Sequence, residues 1–114
     1  MDTKQLRNRN EMLPGTLDMM ILKTLTRGPL HGYGIARHIH EMSDEVLQVE
    51  EGSLYPALQR LKLKGWVVSG WQTTPQNRRA RYYRLTPAGE MQLQAEETAF
   101  EKTVRAIARV MGTA

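Results

Sequence analysis

The apolar side chains of this chain change their spacing partway along, from three helical segments to two strand-like runs and then to one long helix. Helical spacing, with apolar residues every three or four positions, covers 16–27, 31–43 and 52–64. Two runs rich in β-branched and aromatic residues, 66–74 and 81–85, flank a polar turn and predict a hairpin. A mainly α (α+β) fold is therefore expected.

Local signals mark the ends of these elements. Thr16 is expected to cap the first helix, and Gly52 or Ser53 the third. Gly65 supplies a left-handed stop after the third helix. The apolar residues of the segment 46–49 suggest one further, very short strand.

Charge is unevenly distributed along the chain. Of its 114 residues 16 are basic and 12 acidic, a net charge of +4, yet the segment from Gly52 to Gly89 contains seven basic residues and no acidic one. The remaining nine basic and twelve acidic residues give −3. A local cationic field of this kind attracts a polyanion, most commonly nucleic acid, although it also serves solubility alone. The seven residues are Arg60, Lys62, Lys64, Arg78, Arg79, Arg81 and Arg84.

Composition argues against several classes of protein. There is no cysteine, which excludes disulfides and thiolate zinc sites and fits a reducing cytoplasm. No apolar run approaches the ~20 residues that span a bilayer, and no signal peptide is visible, so no membrane partner is expected. The three histidines, His31, His38 and His40, have no metal-site spacing. We therefore expect neither catalysis nor a cofactor nor a bound metal.

The third predicted helix has one apolar and one polar face, which suits insertion into a groove. Gln59 and Arg60 have the side chains that read adenine and guanine edges, respectively. Ser53 and Tyr55, near the helix N-terminus, are placed to donate hydrogen bonds to a phosphate. The apolar face comprises Leu54, Ala57, Leu58 and Leu61, and the polar face comprises Ser53, Tyr55, Gln59, Arg60, Lys62 and Lys64.

The hairpin extends this cationic surface. Its predicted tip, 75–80, holds Arg78 and Arg79, and Arg81 begins the second strand. Three helices followed by a cationic hairpin is the order of a winged helix-turn-helix, in which the third helix enters the major groove and the hairpin contacts phosphates or the minor groove. The partner expected from this order is double-stranded DNA.

The last predicted helix runs to Met111, about 39 Å at ~1.5 Å per residue. Such a helix exceeds what a small core covers, so we expect its apolar stripe to pack on a second copy of the chain; the alternative is that it folds back on the first helix. The stripe repeats at heptad spacing through Leu93, Glu97, Phe100, Val104, Ile107 and Met111. A flat aromatic or cationic effector between the terminal helices, lined by Phe100 and Val104, is a further hypothesis.

Three segments resemble the PadR family of bacterial transcriptional regulators. They are GPLHGYGIARHI (Gly28 to Ile39), EEGSLYPALQRLKLKGWV (Glu50 to Val67) and RRARYYRLTPAGE (Arg78 to Glu90). The resemblance covers most of the chain from Gly15 to Glu90, and the combination of motifs is highly specific. Because only one helix follows the hairpin, the chain looks like the short subgroup of the family.

This resemblance implies two functional regions along the chain. Residues 1–85 would form a winged helix-turn-helix domain with an N-terminal extension, and 86–114 a dimerisation helix. It implies a homodimer that represses by binding a palindromic operator and is often released by a small molecule. Tyr33, Ser53, Tyr55 and the segment 59–64 would contact DNA, with Arg78 and Arg79 on the wing.

One other class of function stays open. A winged helix that binds only proteins would share the fold, because fold does not fix function. Such a module would be expected to have a neutral or apolar wing and third helix, whereas this chain is cationic in both.

Overall fold

The computed structural model describes residues 15–113, so the N-terminal extension predicted for 1–14 lies outside the described residues. Within this range four α-helices and three β-strands follow one another. Their order is α1 (Thr16–Leu25), β1 (Leu30–His31), α2 (Gly32–Met42), α3 (Glu51–Leu63), β2 (Val67–Thr73), β3 (Arg79–Leu85) and α4 (Pro87–Met111).

The core lies where the apolar faces of the helices meet one face of the sheet. The stripe of α3 predicted from helical spacing is buried and packs with residues of α1 and α2. Val67 from β2 and Tyr83 from β3 close the core on the sheet side. Its fully buried side chains are Ile21, Leu22, Ile35, Leu54, Leu58, Leu61 and Val67.

The three strands form an antiparallel sheet in the order β1-β3-β2, with β3 at the centre. Two parts of this sheet differ from the sequence prediction. β1 was not predicted, because two residues carry no periodicity; it pairs Leu30 with Tyr83 and His31 with Tyr82. β3 begins at Arg79 rather than Arg81, because backbone pairing of Thr73 with Arg79 continues the ladder through polar residues.

Both predicted N-caps were wrong. α1 is preceded by Gly15, whose φ of 89° is left-handed, and Thr16 is already helical. α3 is capped by Glu50, whose carbonyl oxygen accepts from Ser53 N at 3.0 Å and Leu54 N at 2.9 Å. These bonds draw the residues that the sequence offered as caps into the first helical turn.

The short strand predicted at 46–49 does not form. This segment connects α2 to α3 and is held by side chains: Leu47 N donates to Ser43 Oγ at 3.0 Å, and His40 Nδ1 lies 3.0 Å from the Leu47 carbonyl oxygen. The side chains of His40 and Ser43 therefore engage the backbone groups of Leu47 that a strand would have offered to a sheet.

α4 is anchored to the sheet at its N-terminus. Thr86 Oγ1 accepts from Gly89 N at 3.0 Å and donates to the Gly65 carbonyl oxygen at 2.7 Å, so one hydroxyl caps the helix and ties it to the turn before β2. Leu93 is only 4% exposed and belongs to the core, which corrects its prediction as a dimerisation residue. Beyond Glu97 the helix is largely exposed.

Helices α1–α3 with a β2–β3 hairpin beside them form a winged helix-turn-helix, as the sequence predicted. Among residues 15–113, no helix has the length and hydrophobicity that crossing a membrane requires.

Candidate nucleic-acid interface

A groove of about 940 Å³ separates the β2–β3 hairpin, the wing, from the first turns of α2 and α3. Three arginines and three partly exposed aromatic rings line it, and no Asp or Glu of residues 15–113 does. The groove is therefore cationic with apolar walls, which suits a sugar–phosphate strand. Its lining comprises His31, Gly32, Tyr33, Tyr55, Trp71, Thr74, Gln76, Arg78, Arg79, Ala80, Arg81 and Tyr83.

The wall opposite the wing is built by a close approach of two helices. A Cβ on Gly32 would lie 3.1 Å from the hydroxyl oxygen of Tyr55, so glycine lets the Tyr55 ring lie against the first turn of α2. Tyr33 follows one residue later and is 69% exposed, against 48% for Tyr55. The fold thus brings together two of the predicted DNA-contacting tyrosines.

His31 fixes the start of α2 at this wall. Its Nδ1 accepts a hydrogen bond from Gly34 N at 3.0 Å, which makes it the N-cap of α2. Its ring stacks on Tyr33 at 6.3 Å and contacts Tyr82 edge-on at 5.2 Å. The sequence predicted no role for His31, although a His directly before a helix is a plausible side-chain acceptor.

The wing supplies the cations. Arg78 lies in the turn, and its backbone N–H donates to Thr74 Oγ1 at 3.2 Å. Asn77 has a φ of 62°, the left-handed conformation that reverses the chain. Arg79 and Arg81 lie on β3, with their guanidinium carbons 5.7 and 5.1 Å from the centre of the Trp71 ring. All three predicted wing arginines therefore lie on one groove.

Burial shifts one ionisable group beneath this surface. Desolvation raises the pKa of the Tyr83 hydroxyl, partly offset by the positive charge of Arg81.

A second shifted group lies on the exposed surface of α2. A 2.8 Å hydrogen bond from Arg37 Nε to Glu41 Oε1, together with the charge of Arg37, lowers the pKa of Glu41. Tyr83 thus stays neutral beside the arginines, and Glu41 is ionised but paired.

The exposed face of α3 continues from the groove. Tyr55, Gln59 and Lys62 are spaced four and three residues apart and therefore lie on one side of the helix. Ser53 is exposed in the first turn. Lys64 lies at the other end of α3, where its Nζ is 4.7 Å from the centre of the Trp66 ring, so it is remote from the groove lining.

Arg60 also has a partner within the protomer. Its Nη2 is 2.9 Å from Asp18 Oδ1 on α1, an ion pair in which the carboxylate is mostly buried and the Arg60 side chain is 53% exposed. The guanidinium links α1 to α3, and its prediction as a reader of base edges remains a prediction. Asp18 is 42 residues away in sequence, so no local signal revealed the pair.

The other predicted surface, on α4, is exposed in the protomer. Phe100, Val104, Ile107 and Met111 are 44, 45, 53 and 70% exposed. They recur every three or four residues, so they form one apolar stripe along the helix. An uncovered stripe of this length on a small protein is typical of a protein–protein contact.

Trp71 is a groove residue that the charge pattern of the sequence did not indicate. It is 57% exposed, whereas Trp66 packs against the core. The alternation of side chains along a strand could have indicated this position, since Trp71 lies on the same face as Val67 but four residues nearer the tip.

Among the described residues no group of three or more His, Asp or Glu is arranged to hold a metal ion.

Comparison with known proteins identifies the family. The model of the "Transcriptional regulator PadR-like family" matches residues 21–95, which span the helices, the wing and the anchored start of α4. The chain belongs to the PadR-like family. A transcriptional regulator of Mycobacterium tuberculosis is 34% identical over 87 residues, covering 76% of this chain and 78% of that protein.

Solved structures of transcriptional regulators have the same architecture. A transcriptional regulator from Clostridium thermocellum superposes with a TM-score of 0.76 at 29% identity, covering 90% of this chain and 95% of that one. A PadR family regulator from Clostridium difficile gives 0.74 at 25% identity, with 85% and 99% covered. The overall fold is thus shared with transcriptional regulators.

Proposed function

We propose that this PadR-family protein is a cytoplasmic, homodimeric transcriptional repressor that binds a palindromic operator in double-stranded DNA. The observation that carries the proposal is the groove between the wing and the first turns of α2 and α3. It collects Arg78, Arg79 and Arg81 opposite Tyr33 and Tyr55, with no acidic side chain of residues 15–113 in its lining.

Each part of the surface has a separate task. Gln59 and Lys62, on the exposed face of α3, enter the major groove, where Gln59 reads a base edge. Tyr33, Ser53 and Tyr55 donate hydrogen bonds to backbone phosphates and fix the register of the helix. The wing arginines neutralise phosphates and contribute sequence-independent affinity.

The dimer follows from the exposed stripe of α4. The first turns of α4, up to Leu93, pack into the core of the winged domain. The proposed boundary between residues 85 and 86 therefore separates two functions, DNA binding and dimerisation, and not two separate cores. Phe100, Val104, Ile107 and Met111 pack against the same residues of the partner. The two copies of α3 then lie about 34 Å apart, one turn of the DNA helix.

A small-molecule effector is a secondary part of the proposal. Phe100 and Val104 lie one helical turn apart on the stripe, and a planar aromatic molecule between the two copies of α4 would contact both. A panel of planar aromatic and cationic compounds tests this part, because a ligand at that position raises the melting temperature and changes the apparent operator affinity.

The deciding experiment measures the affinity for random-sequence duplex as a function of salt. If the groove binds the DNA backbone, the logarithm of the association constant falls linearly with that of the salt concentration, by ~0.9 per neutralised phosphate. A flat response favours the alternative, a winged-helix module that binds only proteins. Selection of bound fragments from the host genome then identifies the operator.

A further inference from the structure

One face of the β2–β3 hairpin covers the core near its base and lies over the groove near its tip. Side chains of paired residues share a face of the sheet, and the pairs Val67–Leu85 and Ser69–Tyr83 lie toward the core. The next pair on the same face, Trp71–Arg81, lies over the groove instead. An indole ring thus lies on the core-facing side of the strand but beyond the core, where 57% of its surface is exposed.

Two cationic groups lie close to the ring. Arg81 lies directly across from Trp71, Arg79 lies two pairs further toward the tip on the same face, and both guanidinium carbons lie within 6 Å of the ring centre. Arg81 Nε is buried and has no hydrogen-bond partner among the described residues. The ring therefore takes part in orienting both arginines, while 57% of its own surface remains exposed.

The chemistry of the groove selects the occupant. Its lining combines the rings of Tyr33 and Tyr55, from α2 and α3, with Trp71 and three arginines of the wing. A planar cation would be repelled by these arginines. A sugar–phosphate strand matches both features, because its phosphates pair with guanidinium groups and its deoxyribose presents an apolar face to a ring.

We propose that Trp71 is a DNA-contacting residue of the wing, whose indole packs against the deoxyribose of one strand while it holds Arg79 and Arg81 toward the flanking phosphates. This inference rests on the proposed DNA-binding function and adds a contact that the charge pattern does not reveal. It assigns a direct role to an aromatic ring of the wing, for which the sequence predicted only arginines as contacts.

The first test uses the variant Trp66→Phe, in which Trp71 is the only tryptophan of the chain. Addition of a random-sequence duplex at low salt is expected to change the Trp71 emission and reduce its quenching by acrylamide. Both changes should saturate with the same Kd as the anisotropy of a labelled duplex. Duplex that binds without changing emission or quenching overturns the proposal, and this test leaves the Trp71 side chain intact.

The second test compares Trp71→Ala and Trp71→Phe with Val68→Ala, an exposed residue on the other face of β2. Trp71→Ala is expected to weaken duplex binding about fivefold to tenfold, the size of one central aromatic contact at an interface. Trp71→Phe should retain most of the affinity, and Val68→Ala all of it. Equal affinities for all three variants and the wild type also overturn the proposal.

These outcomes separate this inference from the function on which it rests. A wild-type protein that binds no duplex at low salt contradicts DNA binding as a whole. A wild-type protein that binds with the expected salt dependence, while Trp71 neither reports nor affects binding, leaves the repressor proposal standing and removes only the role of this ring.

Discussion

At the scale of single residues, His31 links the fold to the groove. Its Nδ1 accepts from Gly34 N, and its ring contacts both Tyr33 and Tyr82. A side chain that accepts from an N-terminal N–H satisfies a donor that the helix itself leaves without a partner. The residue therefore stabilises α2 and also positions the tyrosine that follows it.

We expect His31→Ala to lower the free energy of unfolding by about 1 kcal/mol, the usual cost of removing an N-cap. His31→Asn should lie closer to the wild type, because an Asn side-chain oxygen also accepts from the helix. Urea denaturation of the three proteins measures the difference. If Asn and Ala destabilise equally, the ring contacts rather than the hydrogen bond account for the role of His31.

Tyr83 provides a test of burial through pH. Desolvation raises the pKa of Tyr83 in the folded protein. In the unfolded chain the hydroxyl titrates near about pH 10, the pKa of an unperturbed tyrosine, so the unfolded chain loses the proton at a lower pH than the folded protein does. The contribution of Tyr83 to stability is complete below that pH and is lost as pH rises through the folded pKa. Urea denaturation between pH 8 and about pH 11 should show a steeper alkaline loss for the wild type than for Tyr83→Phe. Parallel pH profiles would contradict the burial argument.

Contacts with distant parts of the chain could not be predicted from the sequence at the residue scale. Gln59 is exposed as its place on the polar face of α3 predicted, because helical periodicity alone fixes that face. Arg60 lies on the same helix, but its ion pair with Asp18 depends on how α1 crosses α3. Leu93 is the first residue of the heptad repeat, but it packs in the core of the protomer and so is not available to a partner.

At the scale of elements, Gly89 lets the start of α4 pack closely against the sheet. Of the glycines in residues 15–113, it is the one at which an added Cβ would come nearest to another atom. A Cβ on Gly89 would overlap the carbonyl oxygen of Trp66, a backbone atom that also accepts from Thr86 N at 3.1 Å. Neither group moves without breaking the anchor of α4. Only glycine fits at this position in the first turn of the helix.

Gly89→Ala is therefore expected to destabilise the protein by about 3 kcal/mol, at the upper end of the usual cost of overpacking. Gly52→Ala is the matched control, since Gly52 also lies in the first turn of a helix but a Cβ there meets nothing within 4 Å. It should be neutral or slightly stabilising, because Ala favours the helix more than Gly does. Thermal unfolding followed by circular dichroism compares the two, and similar melting temperatures would contradict the close contact.

Elements with their own periodicity were predicted well, and those defined by pairing were not. The helical segments and the hairpin emerged from apolar spacing that each segment carries by itself. The two-residue strand β1 exists only because Tyr82 and Tyr83 lie beside it. The apolar segment 46–49 does not form a strand, because the side chains of His40 and Ser43 engage the backbone of Leu47 instead.

At the scale of the whole molecule, the proposed dimer makes a prediction about mass. Phe100→Glu places a charge in the middle of the exposed stripe of α4 and should yield a species near the protomer mass of 13.1 kDa rather than twice that value. Lys102→Glu changes charge elsewhere on the same helix and should remain dimeric. Light scattering after size exclusion measures both, and a dimeric Phe100→Glu protein would refute this placement of the interface.

The DNA-binding surface predicts two distinguishable kinds of defect. Arg78→Ala with Arg79→Ala removes two phosphate-neutralising side chains, so affinity should fall for all duplexes alike and the salt slope should decrease by about 1 for each phosphate that is no longer neutralised. Gln59→Ala removes a side chain that reads a base, so it should lower the preference for the operator over random duplex and leave the salt slope unchanged. Fluorescence anisotropy with both duplexes over a range of salt separates the two effects. If the arginine pair alters only sequence preference, the wing reads bases and α3 supplies the non-specific affinity, which reverses the proposed roles.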